Sequence, residues 1–379
     1  MRILYFTYPW FLDFSIEYIK ELSKKTELHV IVLCPENRNS ATIFKLEEKV
    51  SYQKNKFYSL NDLAGNLKSI DIYKEYTKDC ASFSFSFGPK KWLSTSSFSY
   101  NYQIYKYIQK LQVDIIHFDD LSIDLLWMSW FIRNKKILVN VHDPIAHTGE
   151  VNRRRKIIRK VYYPKVNKFI TFSKYSAQAF FESYGYRSET LSLTPYNFYK
   201  SYETKKTSIE NYFLFFGRVS EYKGIEDLIK AFIVLKEKYN VNLIIAGKNA
   251  YNYAIPEEYL NIAGITIYNK FIENDEMASL IKNCIAVVCP YKDATQSGVV
   301  MTSFAFEKQV VTSRVGGLYE PINEHNGKVY DRTKVGALEK VLIEILEEEN
   351  KETVHVVKES NKALYNVEKL KLIYEILQK

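Results

Sequence analysis

Phe213-Leu214-Phe215-Phe216-Gly217-Arg218-Val219-Ser220-Glu221-Tyr222-Lys223-Gly224 is the stretch that decides the fold of this chain. An apolar run ends in a glycine, two cations stand five residues apart, and a second glycine opens an amphipathic segment. There Ile225, Leu228, Ile229, Phe232 and Leu235 mark one face of a helix over 224–239. Strand, cationic turn and helix N-terminus together suit an anionic ligand, because free amides and the helix dipole favour negative charge. The glycine spacing fits neither the Walker phosphate loop nor the dinucleotide fingerprint. A strand-to-helix turn with ordinary surface cations is the competing reading.

Outward from this stretch, similar apolar runs recur along the chain. In the first half they cover 3–6, 28–33, 113–118, 137–141 and 168–172; in the second, 212–216, 243–246, 265–267, 285–289 and 310–313. Near-continuous apolar runs alternating with helices indicate parallel sheets covered on both faces. At 379 residues the chain exceeds what one core holds, so two doubly wound α/β domains are expected. The polar stretch 197–211 reads as the boundary, giving domains 1–200 and 201–357, with a last helix over 358–379 free to pack on either. Residues 60–105, with Ser/Phe alternation over 81–87, read as an insertion or mobile loop. Nine of 13 glycines follow the boundary, which places the better ligand cradle in the second domain.

Apolar residues at 46% and charged residues at 26% describe an ordinary globular protein. The first residues read as a strand, not a signal peptide, and no run approaches a membrane span. Cys34, Cys80, Cys284 and Cys289 are too scattered for a zinc site and suit buried thiols in a reducing cytosol. No Asp-x-Asp pair or other metal cluster is evident. The net charge of +9 admits nucleic acid, an anionic membrane or phosphorylated small molecules.

A second loop, Pro290-Tyr291-Lys292-Asp293-Ala294-Thr295-Gln296-Ser297-Gly298-Val299-Val300, follows the strand 285–289 and opens a helix over 299–307. Ser297 is placed to cap that helix, and Gly298 leaves its first amides open to an anion. A capped loop without ligand is the alternative.

Together these motifs resemble the donor domain of the retaining GT-B glycosyltransferases of family 4. The resemblance runs through Gly217-Arg218-x4-Lys223-Gly224, Ile244-Ile245-Ala246-Gly247, Phe271-Ile272-x-x-Asp275-Glu276, Ser297-Gly298-Val299-Val300, Val315-Gly316-Gly317-Leu318-x-Glu320 and Asn326-Gly327. The first half is similar more loosely, at Val113-Asp114-Ile115-Ile116-His117, Val141-His142-Asp143 and Thr171-Phe172-Ser173-Lys174. The resemblance implies a GT-B fold of two Rossmann-like domains facing a central cleft, and transfer of a sugar from a nucleoside-diphosphate donor to a saccharide or lipid-linked acceptor. It implies Arg218 and Lys223 on the diphosphate and His142 toward the donor sugar. Gly217, Gly247, Phe271, Ile272, Ser297, Gly298, Val299 and Val300 would line the donor site. The nucleotide-sugar is a co-substrate; no cofactor and no metal are expected.

The family's two glutamates, eight residues apart, align here with Thr295 and Ser303. Asp293 is the loop's one carboxylate and takes the first role; Ser303 is left to the ribose, and Glu307 reads as solvent-facing. His147 is a weaker candidate than His142, and His117 reads as a core or supporting residue. Tyr8 and Trp10, after the first strand, form an acceptor platform. The basic run from Arg153 to Lys160 suits an anionic membrane surface or a solvated face, and no nucleic-acid motif accompanies it. The setting this implies is cytoplasmic, peripheral on the inner face of the cell membrane, in cell-surface polysaccharide or glycoconjugate synthesis. A sugar-nucleotide epimerase and a non-catalytic sugar-nucleotide-binding scaffold are the alternatives.

Overall fold

A computed structural model describes residues 1–35, 40–46, 52–53, 56–132, 134–145, 153–250, 252–348 and 367–378. The chain divides into two units, Met1–Phe172 with Ala177–Leu191 and Asn366–Lys379, and Ser173–Ser176 with Ser192–Tyr365.

The first unit is built on β1 (Arg2–Thr7), β2 (Glu27–Cys34), β3 (Ser40–Ala41), β4 (Phe44–Lys45), β5 (Phe57–Ser59), β6 (Ser82–Phe87), β7 (Ile115–Asp119), β8 (Lys136–Asn140), β9 (Lys168–Thr171) and β10 (Glu189–Thr190). Its helices are α1 (Leu12–Ser23), α2 (Ile70–Thr77), α3 (Thr95–Leu111), α4 (Met128–Phe131), α5 (Arg153–Tyr162) and α6 (Lys174–Tyr184), whose first residues belong to the second unit. The sheet order is β10-β9-β8-β7-β1-β2-β6-β5, parallel throughout except for β5. Central strands are buried along almost their whole length, which is why they read as continuous apolar runs.

Residues 60–105 are not a loose insertion. The Ser/Phe alternation is the period of two of a strand, and β6 pairs in register with β2 from His29↔Ser82 to Cys34↔Phe87. Its phenylalanines are buried, and α3 follows, with the Ser94 hydroxyl accepting from the Ser97 amide at its N-terminus.

The second unit has six parallel strands: β11 (Tyr212–Phe216), β12 (Asn242–Ala246), β13 (Ile265–Tyr268), β14 (Val287–Cys289), β15 (Val310–Ser313) and β16 (Gly327–Tyr330). Between them lie α7 (Ile225–Lys236), α8 (Asn274–Asn283) and α9 (Gly298–Ala305), with α10 (Ala337–Glu347) after β16. The order β13-β12-β11-β14-β15-β16 reverses direction between β11 and β14. That reversal opens a crevice at the strand carboxyl ends, where doubly wound sheets hold ligands. In the first unit the corresponding reversal falls between β1 and β7. Part of the polar stretch 197–211 is a 3-10 turn, Asn197–Ser201, with Phe198 and Tyr199 buried. Finally, α11 (Val367–Gln378) lies against α1 and β7 in the first unit and buries Leu370, Ile373, Tyr374 and Leu377.

Candidate active site

At the second unit's reversal, the chain leaves β11 through Gly217 and the exposed Arg218, then turns over Glu221–Lys223 into α7. Gly224 closes that turn with φ +67°, and a Cβ there would lie 2.0 Å from the Pro290 carbonyl oxygen. Gly247 likewise admits no Cβ, since one would lie 1.8 Å from the Gly217 carbonyl oxygen. These glycines let backbone approach backbone at the strand ends, rather than a ligand as composition suggested.

The close approach brings the two sequence-predicted loops together. Lys292 donates its amide to the Tyr222 carbonyl at 2.6 Å, and the Lys223 ammonium lies 3.6 Å above the Tyr291 ring. Burial, with Arg218 close by, pulls the Lys223 ammonium down from its ordinary 10.5 to about 7. A Cβ on Gly217 would meet Val299 at 3.5 Å, so the β11 exit and the first turn of α9 adjoin. Ser297 occupies the N-cap position but makes no side-chain cap bond, contrary to its expected role. The first-turn amides of Gly298, Val299 and Val300 therefore go uncapped by it. Tyr196 packs 3.1 Å from where a Gly298 Cβ would stand.

Beside the cationic turn is a cavity of about 470 Å³. Five residues expected at a donor site, Gly217, Arg218, Gly247, Phe271 and Ile272, line it, joined by Asn249, Ala250 and Met277, which carried no motif. Its size suits a small ligand.

The remaining donor-side residues behave differently. Asp293 is half-buried in its loop. Ser303 is fully buried, and its hydroxyl donates to the Val299 carbonyl at 2.7 Å. Glu307, expected to face solvent, is half-buried and pairs with Lys200 at 3.3 Å. Glu320 accepts from the Lys174 and Tyr175 amides at 2.7 and 2.8 Å, and so satisfies the first turn of α6.

In the first unit, His142 follows β8 and is buried. Its Nε2 lies 2.6 Å from Asp119 Oδ1 at the end of β7, and its ring stacks on Phe11 at 3.9 Å. Asp119 also accepts from Asn140 at 3.1 Å and from Thr7 at 2.9 Å. Burial alone would lower the His142 pKa, but Asp119, Asp120 and Asp143 outweigh it and raise it. His117 is a fully buried supporting residue, 2.9 Å from Asn140 Oδ1 and 2.5 Å from the Tyr374 hydroxyl. Burial pushes it down to about 4. Because Asn140 Oδ1 only accepts, His117 Nε2 carries the proton and Nδ1 accepts from Tyr374. His147 lies outside the described residues.

Two first-unit expectations change. Tyr8 is buried, stacks on Trp10 at 4.9 Å and takes the Ser122 amide on its hydroxyl, so it supports Trp10 instead of offering a face. The cations of α5 divide: Arg155 bonds Asp120 at 2.8 Å, and buried Arg159 bonds the Asp143 and Pro144 carbonyls. Sequence reasoning missed Asp119 and Asp120; two adjacent carboxylates at a strand end were the available signal.

Two family models match this chain: Glycosyl transferases group 1 over residues 200–363 and Glycosyltransferase Family 4 over residues 66–195, together more than half of it. The chain belongs to the family 4, group 1 glycosyltransferases. The uncharacterised glycosyltransferases MJ1607 and MJ1178 of Methanocaldococcus jannaschii are 33% and 28% identical over 121 and 143 residues. Those matches take in 31% and 37% of this glycosyltransferase-family chain, and well under half of each relative (31% and 39%). Among solved structures, HepE of Anabaena, in complex with UDP and glucose, aligns with a TM-score of 0.64 at 13% identity, over 100% of this chain and 99% of its own. The catalytic domain of starch synthase IV from Arabidopsis thaliana, bound to ADP and acarbose, gives 0.63 at 11%, over 100% and 98%. These likenesses establish the GT-B fold of this family member.

Proposed function

We propose that this protein transfers a sugar from a nucleoside-diphosphate sugar to a saccharide or lipid-linked acceptor, with retention of anomeric configuration. The observation that carries the reading is the meeting, where strand order reverses, of the Arg218–Lys223 turn with the first turn of α9, beside a cavity of about 470 Å³ at the carboxyl ends of β11 and β12. The UDP and ADP in the two solved relatives support a nucleoside diphosphate as the ligand class.

In this reading base and ribose fill the cavity beside Phe271 and Ile272. The diphosphate lies against Arg218, Lys223 and the amides of Gly298 to Val300. Negative charge grows on the leaving diphosphate as the glycosidic bond breaks, so fixed cations favour the transition state over the ground state. The departing phosphate oxygen then takes the acceptor proton on the same face. Positive side chains meet the charge that a metal would otherwise meet, and no cofactor enters. His142 attends the donor sugar, Asp293 serves as the loop's carboxylate, and Trp10 serves the acceptor. The setting is synthesis of cell-surface polysaccharide or glycoconjugate at the cytoplasmic side of a membrane.

A second reading, a sugar-nucleotide-binding scaffold, rests on Thr295 and Ser303 standing where two glutamates are usual. The Ser303 hydroxyl is already given to Val299. An epimerase would need acid–base carboxylates with its histidines, and the Glu320 carboxylate is already held by two amides. The test incubates the protein with UDP-, GDP- and ADP-sugars, with and without acceptor extracts, and with EDTA. Acceptor-dependent release of nucleoside diphosphate that survives EDTA supports transfer. Binding without release supports the scaffold, and an isomerised sugar nucleotide supports the epimerase.

A further inference from the structure

The first unit carries an aromatic face that the reading above does not use. Rings of α3 and of the α4 segment form one continuous cluster. Phe98 lies 5.7 Å from both Trp127 and Phe131, Tyr105 lies 5.2 Å from Phe131, and Trp127 lies 5.4 Å from Trp130. Several of them face water: Trp130 is 57% exposed, Phe98 43% and Tyr102 40%, with Leu93 at 58% just before α3. Isolated exposed apolar side chains need no explanation, but a contiguous group marks a surface that meets something.

Charge narrows what that something is. Residues 80–113 and 125–142 contain no Asp and no Glu, yet they include Lys90, Lys91, Lys106, Lys110 and Lys136. All five of these lysines are exposed, and the Lys106 ammonium lies 4.9 Å over the Tyr102 ring. A second copy of the same face would bring cation against cation, so self-association is disfavoured. Exposed Trp and Tyr beside Lys is the composition of a surface seated at lipid headgroups, where amphipathic rings settle and ammonium groups meet anionic lipid. The basic run from Arg153 to Lys160 is the weaker candidate, because Arg155 and Arg159 turn inward to Asp120 and to carbonyl oxygens.

We infer that the α3–α4 face of the first unit docks on an anionic lipid bilayer surface. It rests on the glycosyltransferase reading only in that a lipid-linked acceptor would be met there, and it is tested without any transfer assay. The full chain is sedimented with phosphatidylcholine vesicles, with and without phosphatidylglycerol. Binding should need the anionic lipid and weaken with salt. F98S/W130S and K106E/K110E should each lower binding by about tenfold or more, while R153E/R154E should lower it less. All three variants should keep the wild-type melting temperature and nucleoside-diphosphate affinity, which separates lost docking from lost folding.

The inference is overturned if wild-type protein ignores anionic vesicles, or if F98S/W130S and K106E/K110E bind them like wild type. It is also overturned if F98S/W130S dissociates a dimer in analytical ultracentrifugation, since the occupant is then a second copy. Binding to single-stranded nucleic acid in place of vesicles overturns it too. Vesicle binding by a protein that transfers no sugar would uphold this face and count against the transfer reading alone.

Discussion

Lys223 lies half-buried over the Tyr291 ring near Arg218, and that environment holds its ammonium at about 7. A bound diphosphate would favour the charged form, so binding should take up a proton. Affinity should be full below pH 7 and fall above it, by up to about tenfold per pH unit until the bound-state value is reached. Calorimetry in buffers of different ionisation enthalpy at pH 8 should show proton uptake, and Lys223→Met should abolish both the uptake and the slope. For stability the sign is set by a folded value below the unfolded 10.5. The buried charge costs most below pH 7, and the cost disappears as pH rises toward 10.5. The methionine variant should therefore melt higher than wild type near pH 6, and by a smaller margin near pH 10.

His142 runs the other way. Its pKa is raised, so its pairing with Asp119 stabilises the fold below the ordinary 6.5 and is lost as pH rises through the folded value. Asp119→Asn should move the His142 titration midpoint, read by NMR of the imidazole, downward. It should also shift the alkaline limb of the transfer rate in the same direction. A His142 midpoint unmoved in this variant would show that Asp119 does not set its charge. His142 was singled out in the sequence because a motif carried it. Asp119 was not, because nothing in one chain says which carboxylate at a strand end will face a histidine from the neighbouring strand.

At the scale of elements, the turn over Glu221–Lys223 depends on Gly224. An alanine there meets both a left-handed φ of +67° and a carbonyl oxygen at 2.0 Å. Gly224→Ala should cost at least ~2 kcal/mol in denaturant unfolding and lower nucleoside-diphosphate affinity as well. Gly65→Ala, with nothing within 4 Å, should stay within about 0.5 kcal/mol and serves as the control. Strands were the most legible elements, because burial on both faces writes them as unbroken apolar runs. Their ends were less so: β14 starts at Val287 and β7 runs on to Asp119. The strand β6 was misread as part of a loop because Ser/Phe alternation looks polar unless it is counted in twos. The place of Glu320 was not legible for a different reason. Its task is to satisfy the amides of Lys174 and Tyr175, 146 and 145 residues away in sequence, and no local pattern announces that.

At the scale of the molecule, two sheets with reversing strand order were foreseeable from the alternation of runs and helices alone. The return of α11 to α1 and β7 was not, since an amphipathic helix states which face is apolar but not which surface covers it. In the first unit, α11 supplies Tyr374 to His117 and so reaches through Asn140 to Asp119. In the second, the Arg218–Lys223 turn meets the first turn of α9 beside the cavity. The measurement that tests the whole account most directly is acceptor-dependent release of nucleoside diphosphate by wild type, Arg218→Ala and Lys223→Ala, on whichever donor the sugar-nucleotide screen selects. The account predicts folded variants whose turnover falls by about 10²-fold or more, the loss expected when charge stabilisation of a transition state is removed. Near-wild-type turnover in both variants would contradict it.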